Sequence, residues 1–306
     1  MQNILTSQPW RRLSLALVGT AAILMPLGEA AWAGDPFRTE NPHDISDTAE
    51  QMFYAMFRDG DYVTAQTYLE DIGSNEDPMV HAMAATLNYL DGDWDDMLAQ
   101  AKLTQESAAA IANSDALRSN LYSAVGIFME GAYILQAEGV AQGTPKALGM
   151  LQQVFDYMDA AEDIDSTDPE LSVLKGFMDL LLAVNLPFAN PEQAVAKLEN
   201  YGHPTYVSYR GIAIGYRDLN NNEAALDAVE TALAAAPENP DLLYLKAQVL
   251  KRLGQVDASV ESFGQALEYA DQLPSPMVRQ IAREQCRAEG LPGAECRTRV
   301  DEEYGS

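Results

Sequence analysis

The chain is predicted to be an all-α solenoid of about five or six helical hairpins, closed by a C-terminal capping helix. Three observations carry this. Tyr206–Asn239 and Pro240–Pro274 align on each other at an offset of 34 residues, and each reads as two helices joined by a turn. A fixed period of that size marks an array of stacked helical units. Ala, Leu, Met and Tyr are plentiful, and no run alternates Val, Ile or Thr with polar residues as a half-buried strand does. Finally, Asp59-Gly60-Asp61-Tyr62 and Asp91-Gly92-Asp93-Trp94 each place a Gly suited to a left-handed helix end just before an Asp suited to cap the next helix.

The elements follow in chain order. Arg11 and Arg12 precede an apolar run from Leu13 to Leu27, and Ala31-Trp32-Ala33 sets a small–x–small pattern before Gly34. Residues 1–33 therefore read as a secretory signal peptide, cleaved or kept as an anchor. The run is shorter than the roughly 18 residues that suggest a spanning helix. Residues 34–45, with Pro36 and Pro42, read as an extended lead-in. Residues 46–112 read as two degenerate hairpins, starting at the caps Ser46 or Asp47 and at Pro78. Residues 113–205 read as irregular helical pairs: a helix started by Ser114 or Asp115 and running to about Glu138, a loop over 139–144, Pro145 at the first turn of a helix to about Ala161, then helices opened by Asp168-Pro169 and by Pro191. Proline at a first helical position is already shaped for it. Residues 206–274 hold the regular pair, and 275–306 hold the capping helix with a cysteine-bearing tail.

Charge narrows the partners. The formal net charge is −27. Losing Arg11, Arg12 and Glu29 with the leader brings it to about −28. So acidic a chain is not built to bind nucleic acid or an anionic bilayer over a broad face. The balance is uneven, at about −21 for residues 34–189 and about −7 for 190–306. An acidic front half and a nearly neutral rear half suit different ligands. The middle is rich in Met and Tyr, a composition compatible with contact to a second copy.

Export leads to an oxidising space. There Cys286 and Cys296, the two cysteines of the chain, are expected to pair around the Gly290–Gly293 turn. Catalytic signatures are missing. His43, His81 and His203 lack metal spacing, and there is no G-x-S-x-G elbow, no P-loop and no G-x-G-x-x-G after a strand. Glu162–Glu170 opens like a calcium loop, but Asp168 and Leu174 stand where such a loop needs Gly and a bidentate Glu. The expectation is no catalytic residue, no cofactor and no metal.

The aligned stretches resemble the tetratricopeptide repeat. Tyr209, Ile212, Ala213, Tyr216, Ala225, Val229, Ala232 and Pro237 match its signature in the first copy. Leu243, Ala247, Leu250, Gly254, Phe263 and Ala266 match in the second, with departures at Lys246 and Ser259. The whole chain is similar to secreted cyanobacterial proteins with such repeats, which implies the periplasm or thylakoid lumen. In this family the first helix of each pair lines a concave groove. The resemblance thus implies a rear groove of Arg210, Ile214, Arg217, Tyr244, Gln248, Lys251 and Arg252, and a front set of Tyr54, Phe57 and Tyr89. Members that clamp a carboxylate carry Asn where this chain has Ile214. The function implied is an exported, non-catalytic adaptor for a protein or peptide, acidic or with a free C-terminus. The alternatives are a periplasmic small-ligand binding protein and an accessory subunit of an envelope enzyme.

Overall fold

Several of the described helices start and stop on local chemistry that their sequence supplies. In a computed structural model, which describes residues 34–71, 77–185 and 190–305, α1 (Asp47–Phe53) is capped by Ser46 and widens into a π-helical turn over Tyr54–Asp59. Gly60 then takes φ 68°, and Asp61 accepts the Thr64 amide at 2.8 Å to start α2 (Tyr62–Thr67), which tightens into a 3-10 turn over Tyr68–Asp71. The second Gly-Asp turn behaves alike. Gly92 at φ 80° ends α3 (Pro78–Asp91), and Asp93 caps α4 (Trp94–Ala110). Left-handed backbone is cheap only for glycine, so both turns depend on it. The expected second helix of the first hairpin reached Ile72, which lies outside the described residues, as do the leader and the Leu186-Pro187 helix end.

The long central hairpin departs from expectation. Helix α5 (Ala116–Glu138) passes through Gly139 straight into α6 (Val140–Ile164), so no loop covers 139–144 and Pro145 lies inside a helix. Proline there removes one i→i−4 hydrogen bond. Close packing at Gly143 accompanies it: a Cβ at that position would lie 2.9 Å from the Ile134 carbonyl oxygen. The start of α6 is thereby pressed onto the backbone of α5. Helices α7 (Pro169–Asn185), α8 (Pro191–Tyr201), α9 (Thr205–Asp218), α10 (Asn222–Ala235), α11 (Pro240–Arg252) and α12 (Val256–Leu267) continue the stack.

Small residues set the spacing of the regular pair. Ala213, Ala225, Ala232, Ala247 and Ala266 are each fully buried, letting helix axes approach to about 8–10 Å. Beyond them the expected single cap is two helices, α13 (Ser275–Ala288) and α14 (Gly293–Tyr304). A Cys286–Cys296 disulfide joins them with the Cα atoms 5.6 Å apart. Among the described residues there is no strand, and the arrangement is a repeat solenoid of the tetratricopeptide type.

The N-terminal segment does more than lead in. The capping residues of α5, α7 and α11 are Asp115, Asp168 and Asn239, and residues 35–62 run along them. His43 Nδ1 bonds Asp115, Arg38 Nε donates to Asp168 at 3.0 Å, and Asn239 Nδ2 donates to the Phe57 and Arg58 carbonyls at 3.1 Å each. Phe37 packs edge-on against Phe53 with ring centroids 4.9 Å apart. The N-caps of these three first helices form a rim, and the start of the chain is strapped along it.

Candidate partner-binding groove

Helix α9 builds the inner wall. Its length and 3.6-residue period put Arg210, Ile214, Arg217 and Asp218 on one face, while Ile212 and Ala213 are buried on the other. Three cavities open on that face and share residues. The first, of about 340 Å³, is apolar and is lined by Phe128 and Met129 of α5, Met158 of α6, Phe177 and Met178 of α7, and Ile214. The second, of about 460 Å³, takes Ile214 and Arg210 together with Tyr62, Asp241, Tyr244 and Gln248. The third, of about 440 Å³, is lined by Arg217, Gln248, Lys251, Arg252 and Glu284. Ile214 joins the first to the second, and Arg217 and Gln248 join the second to the third. The three openings therefore neighbour one another along this face as one groove, here called the channel, apolar at the α5–α7 end and cationic at the α11 end.

The polar groups on this wall form a chain across three first helices. Arg217 Nη1 donates to Gln248 Oε1 at 2.6 Å, and Gln248 Nε2 donates to Glu284 at 3.4 Å. Tyr244 donates to Glu284 at 2.8 Å and accepts from Gln280 at 2.8 Å. Burial and then the Glu284 carboxylate push the Tyr244 phenol above its ordinary range, so it stays a donor. Arg217 also grips Asp218 through two hydrogen bonds, and Arg252 donates to the Arg217 carbonyl. Lys251 is half-buried and has no ion-pair partner among the described residues.

Arg210 is different. Its Nε donates to Asp241 at 2.6 Å, and Tyr62 donates to the same carboxylate oxygen at 3.3 Å. Burial works against the guanidinium charge, but Asp241 and Tyr62 overcome it and hold the group protonated. Arg210 therefore ties the first hairpin to the rear repeats. The rear set is thus brought together, with Arg210 committed to an internal contact.

The front set is not assembled into one wall. Tyr54 lies under Arg58, whose guanidinium carbon sits 4.7 Å from the ring centroid, and Phe57 packs on Phe53 at 5.0 Å. Tyr89 is 51% exposed and edge-on to Trp94, in a separate ring cluster. Phe57 also lends its carbonyl to Asn239, so its segment is part of the internal strap.

Sequence reasoning missed the apolar end. Phe128, Met129, Met158, Phe177 and Met178 come from helices outside the regular repeats, and the one available signal was the Met-rich middle. A sealed ion cluster was also missed. Arg118 bonds Asp77 through both terminal nitrogens at 2.8 Å and meets Glu170 at 3.1 Å, while Tyr122 donates to Glu170 at 2.6 Å. Most acidic groups of the stretch 162–170 likewise have partners within the chain. Glu162 pairs with Lys197 and Lys175, Asp165 accepts from Thr167, and Asp168 holds Arg38 and caps α7.

A family model described as a tetratricopeptide repeat matches residues 240–272, which cover α11, α12 and the turn after them. No curated protein matches the chain. The matched repeat carries Tyr244, Gln248, Lys251 and Arg252, the cationic end of the channel.

Proposed function

We propose that this chain is an exported, non-catalytic adaptor that holds a segment of a partner protein in the α9 channel. The segment places apolar side chains against Phe128, Met129 and Met178 and a carboxylate, from an acidic residue or a free C-terminus, at Lys251 and Arg252. The observation supporting this is that the apolar and cationic openings adjoin along α9, with Ile214 lining the first two and Arg217 the last two. Methionines adapt to varied apolar surfaces, and Arg and Lys hold carboxylates by charge-assisted hydrogen bonds. The repeat match at 240–272 supports protein interaction as the role. Export, with residence in a periplasm or thylakoid lumen and a part in envelope or membrane-complex assembly, rests on the leader pattern of residues 1–33.

The test uses fluorescent helical peptides with an apolar face, ending either in a free carboxylate or in an amide. Tighter binding of the carboxylate form, lost in Lys251→Glu and Arg217→Glu, is expected. Met129→Glu is expected to weaken both forms. A preference for the carboxylate form that persists undiminished in both charge variants, or binding of both peptides unaffected by Met129→Glu, would show that the segment does not sit in this groove.

One observation favours the small-ligand reading: about 340 Å³ of apolar space falls in the range of small-molecule sites. A bound lipophilic dye that the peptide fails to displace would favour it.

A further inference from the structure

We propose that Gly34 is the first residue of the mature chain and that Glu50 receives its newly made α-ammonium. This rests on the export reading above and adds a processing site with its receptor. The Gly34 amide nitrogen already donates to Glu50 Oε2 at 2.9 Å. The contact is close, since a Cβ on Gly34 would lie 2.6 Å from Oε1 of the same carboxylate.

Two further observations point to this bond. No Lys, Arg or His pairs with Glu50 among the described residues, although the lead-in carries several ion pairs. This half-buried carboxylate meets the Gly34 N–H and the Tyr54 hydroxyl, both neutral, so it lacks a counter-charge that a terminal ammonium supplies. Packing also starts at once after Gly34. Asp35 is buried and accepts from the Phe37 amide at 2.8 Å and the His43 amide at 3.0 Å, and Phe37 is buried against Phe53. Cleavage further along would remove packed residues. The small–x–small pattern Ala31-Trp32-Ala33 sits directly before the bond.

The chemistry balances simply. A leader peptidase of the exporting membrane adds water across the Ala33–Gly34 amide. Ala33 leaves with the new carboxylate, and Gly34 keeps the nitrogen, which takes up a proton. An amide hydrogen bond thereby becomes an ion pair, present only after the leader has gone.

The experiment expresses the full chain with its leader in a bacterial host, recovers the exported protein and measures its intact mass. A mass starting at Gly34 is expected. Glycine labelling then follows the α-amine by NMR across pH, in the wild type and in Glu50→Gln. The wild-type amine is expected to titrate at least tenfold more basic in proton concentration than in Glu50→Gln. A recombinant chain that retains Ala33 is expected to melt lower than one starting at Gly34, and Glu50→Gln is expected to erase the difference. Glu50→Gln keeps an acceptor, so its circular dichroism is expected to match wild type. An exported chain still starting at Met1 would overturn this inference alone, and a chain retained in the cytosol would overturn export with it. A start elsewhere, or an amine unmoved by Glu50→Gln, would overturn this inference alone.

Discussion

Arg118 Nε lies 3.1 Å from Glu170 Oε2, with side chains 1% and 0% exposed, and the pair joins the first turns of α5 and α7. Burial raises the Glu170 carboxyl above its ordinary range, against the opposing pull of Arg118, Arg38 and the Tyr122 hydroxyl. A charge this deep tolerates no missing partner. Arg118→Ala is expected to cost about 3–5 kcal/mol in urea unfolding, because it strands Asp77 and Glu170. The double change Arg118→Met/Glu170→Met is expected to cost less than the sum of the single changes, since neither charge is then left alone.

The strap is expected to be acid-sensitive at Asp115. Burial pushes this carboxyl up, but the His43 hydrogen bond and the Arg118 amide win and hold it below the usual carboxylate range. A depressed acid stabilises the fold above its unfolded pKa and stops doing so as pH falls through its folded value. Asp115→Asn keeps the cap and removes the charge. Its deficit against wild type is expected to be about 1–2 kcal/mol near neutrality and to shrink below about pH 4. Paired thermal melts between pH 3 and 7 measure this.

Asn239 has two tasks that a single substitution separates. Its Oδ1 caps α11 by accepting the Asp241 and Leu242 amides at 3.0 and 3.1 Å, and its Nδ2 holds the first hairpin. Asn239→Asp preserves the cap but turns a carboxylate oxygen toward two carbonyls. Hydrogen exchange in residues 47–62 is expected to rise at least tenfold while α11 and α12 stay protected. Unchanged exchange in the hairpin would mean that other contacts hold it.

The disulfide fastens α14 to the stack. It closes a loop of 10 residues, for which chain entropy gives a stabilisation of roughly 3 kcal/mol. Cys286→Ser/Cys296→Ser is expected to release 293–304 to proteolysis first, with the melting of the remaining helices lowered by only a few degrees. Limited proteolysis with mass readout checks the order of cleavage.

Much of the fold was legible because its signals are local. Gly60 and Gly92 sit in left-handed turns, Asp61 and Asp93 cap the helices that follow, and Ala213 and Ala247 mark buried faces, each readable within a few residues. The loop expected at 139–144 failed for the opposite reason. Pro145 locally favours a helix start, but the tight seat of Gly143 on Ile134 extends the helix through it. The candidate groove divided in the same way. Arg217, Gln248, Lys251 and Arg252 share a repeat period, so the sequence set them on one wall, whereas Phe128, Met158 and Phe177 follow no period.

By itself, then, the sequence determined most of the helices and their order, through signals within one or two turns of one another, and the cationic end of the channel, through the 34-residue period that sets Arg217 level with Lys251. Only the tertiary structure decided that Arg118 meets Glu170, that Arg38 and His43 close on the caps of α7 and α5, and that Asn239 holds Phe57 from 182 residues away. Such pairings carry no spacing rule. They arise where separate helices happen to end on one rim, and buried charge then makes each partner obligatory.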